Sequence, residues 1–223
     1  MVAGEKKKEA FAARLLKWGK RNRRDFSWRK ETDAFHILVA EIMLQRTSAV
    51  QVEPVYRKFI AEYPLVHNLA SAPIKNVLGD LRPLGLRYRA VRLKQVANIL
   101  ETQFRGKVPD SEKELLGLPG IGKYVANAVQ CFAFKKDLPL VDSNVLRVIN
   151  RIFSIKSIPD SHKKLQIWDF MSSMIPEGRA KEFNISLLDF AGVICTPRKP
   201  NHEICPMRGI CDFHKFGNSR HDA

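Results

Sequence analysis

Apolar residues recur along this chain three or four positions apart, the spacing of one helix face, and no sustained alternation of apolar and polar residues competes with it. The stripes predict helices near residues 5–21, 33–46, 50–62, 72–80, 88–104, 111–117, 123–134, 143–153, 162–174 and 179–193. Short polar or Pro- and Gly-bearing connections separate them, as in "EYPLVHN", "GKVPDSE" and "SIPDSHK". The pattern is that of an all-α protein. No tandem repeat or low-complexity stretch marks a linker.

One connection differs from the rest. In "VPDSEKELLGLPGIGKYVANAVQCFAF", Asp110 or Ser111 can cap a short helix, and Glu114 stands three residues after Ser111 as a capping box requires. Gly117 ends that helix and Pro119 prevents its continuation, while Gly120 and Gly122 permit positive φ and close approach by another backbone. Tyr124, Val125, Ala128 and Val129 then begin a second helix. The product is a helix, a tight glycine turn, and a helix whose first amides point outward. Such amides are unsatisfied donors at the positive end of a helix dipole and suit a phosphate, held with no base being read. An ordinary αα-hairpin has the same pattern.

Charge shifts that balance. The 223 residues carry 38 Lys and Arg against 23 Asp and Glu, a formal charge of +15 with pI near 9.9, which favours a polyanionic partner. The length suffices for one large domain or two small ones. The N-terminus is basic, but Phe11, Leu15, Leu16 and Trp18 fall on one helix face interrupted by charges, so it reads neither as a signal peptide nor as a membrane span. No other segment approaches the ~20 apolar residues that spanning requires. The expectation is an intracellular protein, in the cytoplasm or nucleoid, whose cysteines are free for metal or catalysis rather than disulfides.

A single carboxylate stands out after the hairpin. In "LPLVDSNVLRVINRIF", Asp142 follows an apolar run and precedes a helix with Val145, Val148, Ile149 and Ile152 on its buried side. Aspartate is a favoured N-cap, and capping alone would explain it. Taken with LPGIGKYVANAV before it and a cysteine-bearing tail after it, however, the order of motifs resembles the helix-hairpin-helix, Gly/Pro-Asp superfamily of DNA base-excision glycosylases. The likeness runs from "DFSWRKETDAFHILVAEIMLQRT" to "CTPRKPNHEIC" and is greatest to the iron-sulfur branch, which includes endonuclease III, adenine glycosylases and G·T mismatch thymine glycosylases. The resemblance implies that Asp142 is the catalytic carboxylate. These enzymes flip a nucleotide from the duplex and break its N-glycosidic bond, and a fixed carboxylate stabilises the oxocarbenium-like sugar.

Other positions take roles from the same resemblance. Leu118, Gly120, Gly122 and Lys123 fall in the DNA-gripping hairpin. Where endonuclease III carries an attacking lysine this chain has Tyr124, with Lys123 one residue earlier and about 100° away around the helix. Tyrosine cannot form a Schiff base, so a glycosylase with absent or weak lyase activity is expected. Tyr124 could orient Asp142, line the base pocket or simply pack on the core. Glu41 matches a carboxylate at the base pocket; its apolar neighbours Ile37 to Leu44 favour a protonated acid, and a partly exposed helix glutamate is the plainer possibility. Gln45 and Arg46 match residues that fill the gap left by the flipped base, and Leu86 matches an apolar wedge, with Arg87 and Tyr88 competing for that place. Asn144, in "DSN", resembles the adenine enzymes' "DGN" and counts among the DNA-binding candidates.

Adenine glycosylases usually carry an extra C-terminal domain, whereas this chain ends soon after its cysteines. Thymine or uracil mispaired with guanine in double-stranded DNA is therefore the expected substrate. Adenine in A·G or A·8-oxoguanine pairs is the alternative, and a non-catalytic DNA-binding module the contrasting class. By family analogy, residues 27–136 form a six-helix barrel domain, residues 1–26 with 137–223 a discontinuous second domain, and the protein a monomer.

The tail departs from the family pattern. The branch spaces four cysteines as C-x6-C-x2-C-x5-C; here Cys195, Cys205 and Cys211 keep their places and His202 stands at the second. A 4Fe-4S cluster held by three Cys and one His is expected from the resemblance. Zinc also accepts Cys3His sets. A third possibility is a site without metal, His202 being a surface residue, with His214 beside Cys211 as another ligand. Cys131, on the apolar face after the hairpin, reads as a core thiol.

Overall fold

A computed structural model describes residues 2–85, 87–155 and 161–216. Every regular element among them is helical: α1 (Val2–Asn22), α2 (Ala34–Leu44), α3 (Ala49–Glu62), α4 (Val66–Ser71), α5 (Ile74–Asp80), α6 (Tyr88–Phe104), α7 (Glu112–Leu116), α8 (Lys123–Phe132), α9 (Ser143–Phe153), α10 (Ser161–Ser172), α11 (Ala180–Val193) and α12 (Asp212–Phe216), with three 3-10 turns. The all-α expectation holds. Two short helices were not anticipated, α4 and α12. The first lies in the "EYPLVHN" connection, where Asn68 Oδ1 accepts the Leu65 amide at 3.1 Å and Val66 and Leu69, three apart, are buried. One turn of helix leaves too short a stripe for periodicity to register.

The chain divides into two compact units, Asp25–Lys136 and the pair of segments Met1–Arg24 and Asp137–Ala223. The centre of the first is α2, capped by Asp33, whose Oδ1 accepts from Phe35 N at 2.8 Å and His36 N at 3.0 Å. Its residues are buried on nearly every side, and α3, α6 and α8 pack around it. Such a helix has no polar face to tie it to solvent, so its position is fixed by packing.

In the second unit α1 lies along α11. Phe11 meets the edges of Phe153 and Phe183 at 5.6 and 6.1 Å, and Trp18 meets Phe190 at 5.6 Å. A Cβ on Gly19 would lie 1.9 Å from Ser186 Oγ, so only glycine lets the two helices come this close. Where α1 ends, the fully buried carboxylate of Asp189 accepts Arg24 Nε at 2.7 Å and Arg24 N at 3.1 Å. The extended segment leading to α9 is held by Asn184 of α11: its Oδ1 accepts Leu140 N at 3.0 Å and its Nδ2 donates to Leu138 O at 2.8 Å. This bracket sets where Asp142 emerges.

Candidate active site and cluster loop

The hairpin forms as its residues dictate. Ser111, not Asp110, caps α7, its Oγ accepting Glu114 N and donating to Glu114 Oε2 at 2.5 Å. Leu118 and Ile121 are buried and root the turn, with Ile121 N donating to Leu118 O at 3.2 Å. Gly120 has φ +75°, the left-handed conformation that favours glycine, and Gly122 opens α8 without a side-chain cap. Both glycines are exposed, and their amides donate to no acceptor among the described residues. Lys123 is exposed beside them, 3.7 Å from Glu112 Oε1, and Tyr124 is half-buried against the core of its unit. The chemistry on offer is anion binding by amides at the start of a ten-residue helix.

The turn after α2 meets this hairpin. Gln45 Nε2 donates to Gly120 O at 3.1 Å, and Arg46 is exposed with φ +59°. Glu41, one turn earlier on α2, is 5% exposed. Leu86 lies outside the described residues; Arg87 beside it is exposed, just before α6. Sequence reasoning missed Arg89. It is 2% exposed, and its guanidinium donates to Met43 O at 2.5 Å, Thr47 Oγ1 at 2.7 Å and Leu84 O at 3.4 Å, joining the turn after α2 to the loop before α6. An arginine among five basic residues of "LRPLGLRYRAVRLK" gives no signal that it points inward.

In the other unit, Asp142 caps α9: its Oδ1 accepts Val145 N at 2.7 Å, and its Oδ2 accepts Asn144 Nδ2 at 3.0 Å. It is half-buried, so both oxygens are oriented while the carboxylate still reaches solvent. Arg147 extends the chain of bonds, donating to Asn144 Oδ1 at 2.8 Å, Ala191 O at 2.9 Å and the backbone oxygen of Cys195 at 3.0 Å. Arg151 follows one turn on, donating to Thr196 O and Pro197 O at 2.7 Å each and lying 3.5 Å from Cys195 Sγ. Neither arginine was singled out from sequence, although positions 144, 147 and 151 share one helix face and could have been. One helix thus carries the candidate carboxylate at its start and grips the cysteine loop along its side.

Cys195, His202, Cys205 and Cys211 line one small cavity with Arg151 and Phe213. Burial pushes the Cys205 and Cys211 thiols up, and the neighbouring cysteines add to it. Burial also pulls the His202 imidazole down, toward the neutral form that can coordinate a metal. Its ring lies 4.9 Å from that of His214, whose Nε2 faces the Arg208 Nε donor at 3.1 Å. Three thiols and a neutral imidazole around one cavity suit an iron-sulfur cluster. Zinc accepts the same Cys3His donors. Cys131 is a buried free thiol, as its apolar position implied. Among the described residues no helix is long and apolar enough to cross a membrane.

The architecture is that of the helical DNA glycosylases: a solved structure described as a thermostable thymine-DNA glycosylase matches 96% of this chain and 99% of its own with a TM-score of 0.90 at 36% identity. Residues 39–170 match the HhH-GPD superfamily of base excision DNA repair proteins, and residues 195–211 match the iron-sulfur binding domain of endonuclease III. The chain belongs to the HhH-GPD superfamily. The thymine/uracil-DNA glycosylase of Methanothermobacter thermautotrophicus is 38% identical over 96% of this chain and 97% of its own. The adenine DNA glycosylase of Mycolicibacterium smegmatis is 36% identical over 86% of this chain and 66% of its own.

Proposed function

We propose that this protein is a monofunctional DNA glycosylase, acting as a monomer, that hydrolyses the N-glycosidic bond of thymine or uracil mispaired with guanine in duplex DNA. The observation that carries the reading is kinship over nearly the whole chain with thymine/uracil-DNA glycosylases, among them one 38% identical. Asp142 is the carboxylate that faces the sugar. As the bond between sugar and base lengthens, its electron pair leaves with the base nitrogen and the sugar becomes cationic. The fixed negative charge stabilises that cation, and water forms the new bond to the sugar carbon as its proton passes to the Asp142 carboxylate. Glu41, buried in α2, is the acid for the departing base.

The remaining candidates bind and position. The Gly120 and Gly122 amides hold a backbone phosphate, with Leu118 rooting the turn and Lys123 adding charge. Gln45, Arg46 and the segment around Leu86 and Arg87 enter the duplex where the nucleotide leaves. Tyr124 supplies no amine, so no covalent enzyme–sugar adduct forms. Asn144 orients Asp142 by the 3.0 Å bond between them. Cys195, His202, Cys205 and Cys211 hold a 4Fe-4S cluster, zinc being the competing metal. That cluster ties down a tail poor in apolar residues, from which Arg198, Lys199 and Arg208 face phosphates.

The holoprotein is incubated with duplexes containing G·T, G·U, A·G and A·8-oxoguanine, and strand scission is measured after alkali. Release is expected from G·T and G·U, none with Asp142→Asn, and no DNA adduct on borohydride reduction. Release from the adenine pairs alone would establish the second reading, which the "DSN" context of Asn144 favours. Base release undiminished in Asp142→Asn would remove Asp142 from the chemistry. No release from any duplex would leave a DNA-binding module.

A further inference from the structure

Several arginines in this protein end on protein carbonyls or carboxylates: Arg24 on Asp189, Arg89 on Met43, Arg147 on Ala191, Arg151 on Thr196. Arg92, in the second turn of α6, does not. Its guanidinium lies over the ring of Tyr88, four residues earlier on the same helix, with Cζ 4.6 Å from the ring centroid. Its stem presses on the apex of the hairpin. A Cβ built on Gly120 would lie 2.6 Å from Arg92 Cδ, 2.8 Å from Nε and 3.1 Å from Cζ, so the arginine fills the space that the missing side chain leaves. The group is half-buried, and no acceptor or carboxylate among the described residues takes any of its N–H donors.

Stacked on one side and seated on the other, the guanidinium is oriented before any partner arrives, so binding sacrifices little side-chain freedom. Cation–π contact secures its face and leaves its edge open. A partly desolvated cation with unused donors gains most from an anion, and the planar fork matches phosphate oxygens in two parallel bonds. The exposed amides of Gly120 and Gly122 lie at the glycine on which it rests, whose carbonyl is engaged from elsewhere by Gln45.

We infer that Arg92 is a further DNA ligand, donating to the backbone phosphate gripped by the hairpin. Gly120 then has two duties, its positive φ and the seat for this side chain. The assignment rests on the hairpin reading above.

The test measures binding of matched and G·T duplexes by the holoprotein in the non-cleaving Asp142→Asn background, across a series of salt concentrations. Arg92→Gln should weaken binding to both duplexes equally, by roughly five- to tenfold, and reduce the slope of log affinity against log salt by about one. Arg92→Lys should restore most of the slope. Thermal midpoints of both variants should match the parent. Unchanged affinity and slope in Arg92→Gln would overturn the assignment, as would a loss confined to the mismatched duplex, which would make Arg92 a reader of the lesion. Gly122→Asp tests the hairpin itself: a Cβ there meets nothing within 4 Å, so the variant should fold, and its carboxylate should repel the phosphate. If Gly122→Asp binds DNA normally, the hairpin reading fails and this proposal with it. If Gly122→Asp abolishes binding while Arg92→Gln is silent, only the arginine's role falls.

Discussion

Replacing Asn184 by alanine should damage stability and chemistry together, because one buried amide holds the extended segment from which Asp142 emerges. Asn184 is 1% exposed; it accepts Leu140 N at 3.0 Å and donates to Leu138 O at 2.8 Å. Leu140 is fully buried, so its amide would find no water in exchange. The Leu140 amide left without a partner costs about 1–3 kcal/mol, and Leu138 O, in a half-buried residue, adds less. The loosened segment ends two residues before Asp142, and a displacement of about 1 Å at a reacting group can cost roughly a hundredfold in rate. Urea unfolding should therefore show a lower midpoint at unchanged slope, and single-turnover base release should fall by about ten- to a hundredfold. Asn184→Asp keeps the acceptor for Leu140 but turns a second acceptor, with a buried charge, toward Leu138 O, and should be the worse variant. Both variants within about 1 kcal/mol of the parent and equally active would refute the bracket.

Arg89→Met removes a buried cation that joins two loops through three acceptors; a loss of about 3 kcal/mol or more is expected by denaturation, with Arg89→Lys intermediate. Nucleotide flipping, followed with a fluorescent base beside the mismatch, should slow further than binding weakens. His202→Cys should keep visible absorbance near roughly 400 nm and shift the cluster's potential downward, since thiolate is more negative than imidazole; His202→Ala should bleach it and His214→Ala should not. Bleaching by His214→Ala alone, or zinc by elemental analysis, would refute that ligand set. Arg179, hydrogen-bonded to it, and then Arg23 hold the Glu182 carboxyl below its usual range. Its contribution is thus present above the unfolded carboxylate range and lost as pH falls through the lowered pKa. Glu182→Gln should cost under about 1 kcal/mol near pH 7, and the difference should vanish in acid.

What was legible in the sequence followed from local rules. Ten helices were anticipated, most from stripes long enough to repeat and five-residue α7 from its Ser111 cap; α4 and α12, of six and five residues, offer neither a long stripe nor a Ser, Thr, Asp or Asn cap before an apolar run. Asp142 was visible because a cap, an apolar run before it and a stripe after it coincide. The glycine turn was visible because Pro119 stops the helix before it and Gly120 and Gly122 permit the positive φ and close approach that a tight turn uses. The supporting residues were not legible, and their kind explains why. Arg89, Arg147, Arg151 and Asn184 act by bonding to backbone carbonyls and amides 44 to 48 positions away, or in one case as near as 5. A backbone acceptor leaves no trace in residue type, so such a partner cannot be read from composition or spacing.

The same distinction separates two arginines three positions apart on α6. In the sequence Arg89 and Arg92 are equivalent basic residues of one helix. In the fold Arg89 is buried with its donors on Met43, Thr47 and Leu84, and Arg92 is half-buried with its donors free. Three positions turn through some 300°, about 60° short of a full circle, so the two are neighbours on one side of α6, and nearly one turn apart along it their tips meet different partners: the loop junction for Arg89, the hairpin for Arg92. A net charge of +15 therefore overstates what is available to DNA, since arginines that brace the fold have already met their acceptors. The charge that matters for binding is the subset held in place without a protein partner, and on α6 that criterion selects Arg92 over Arg89.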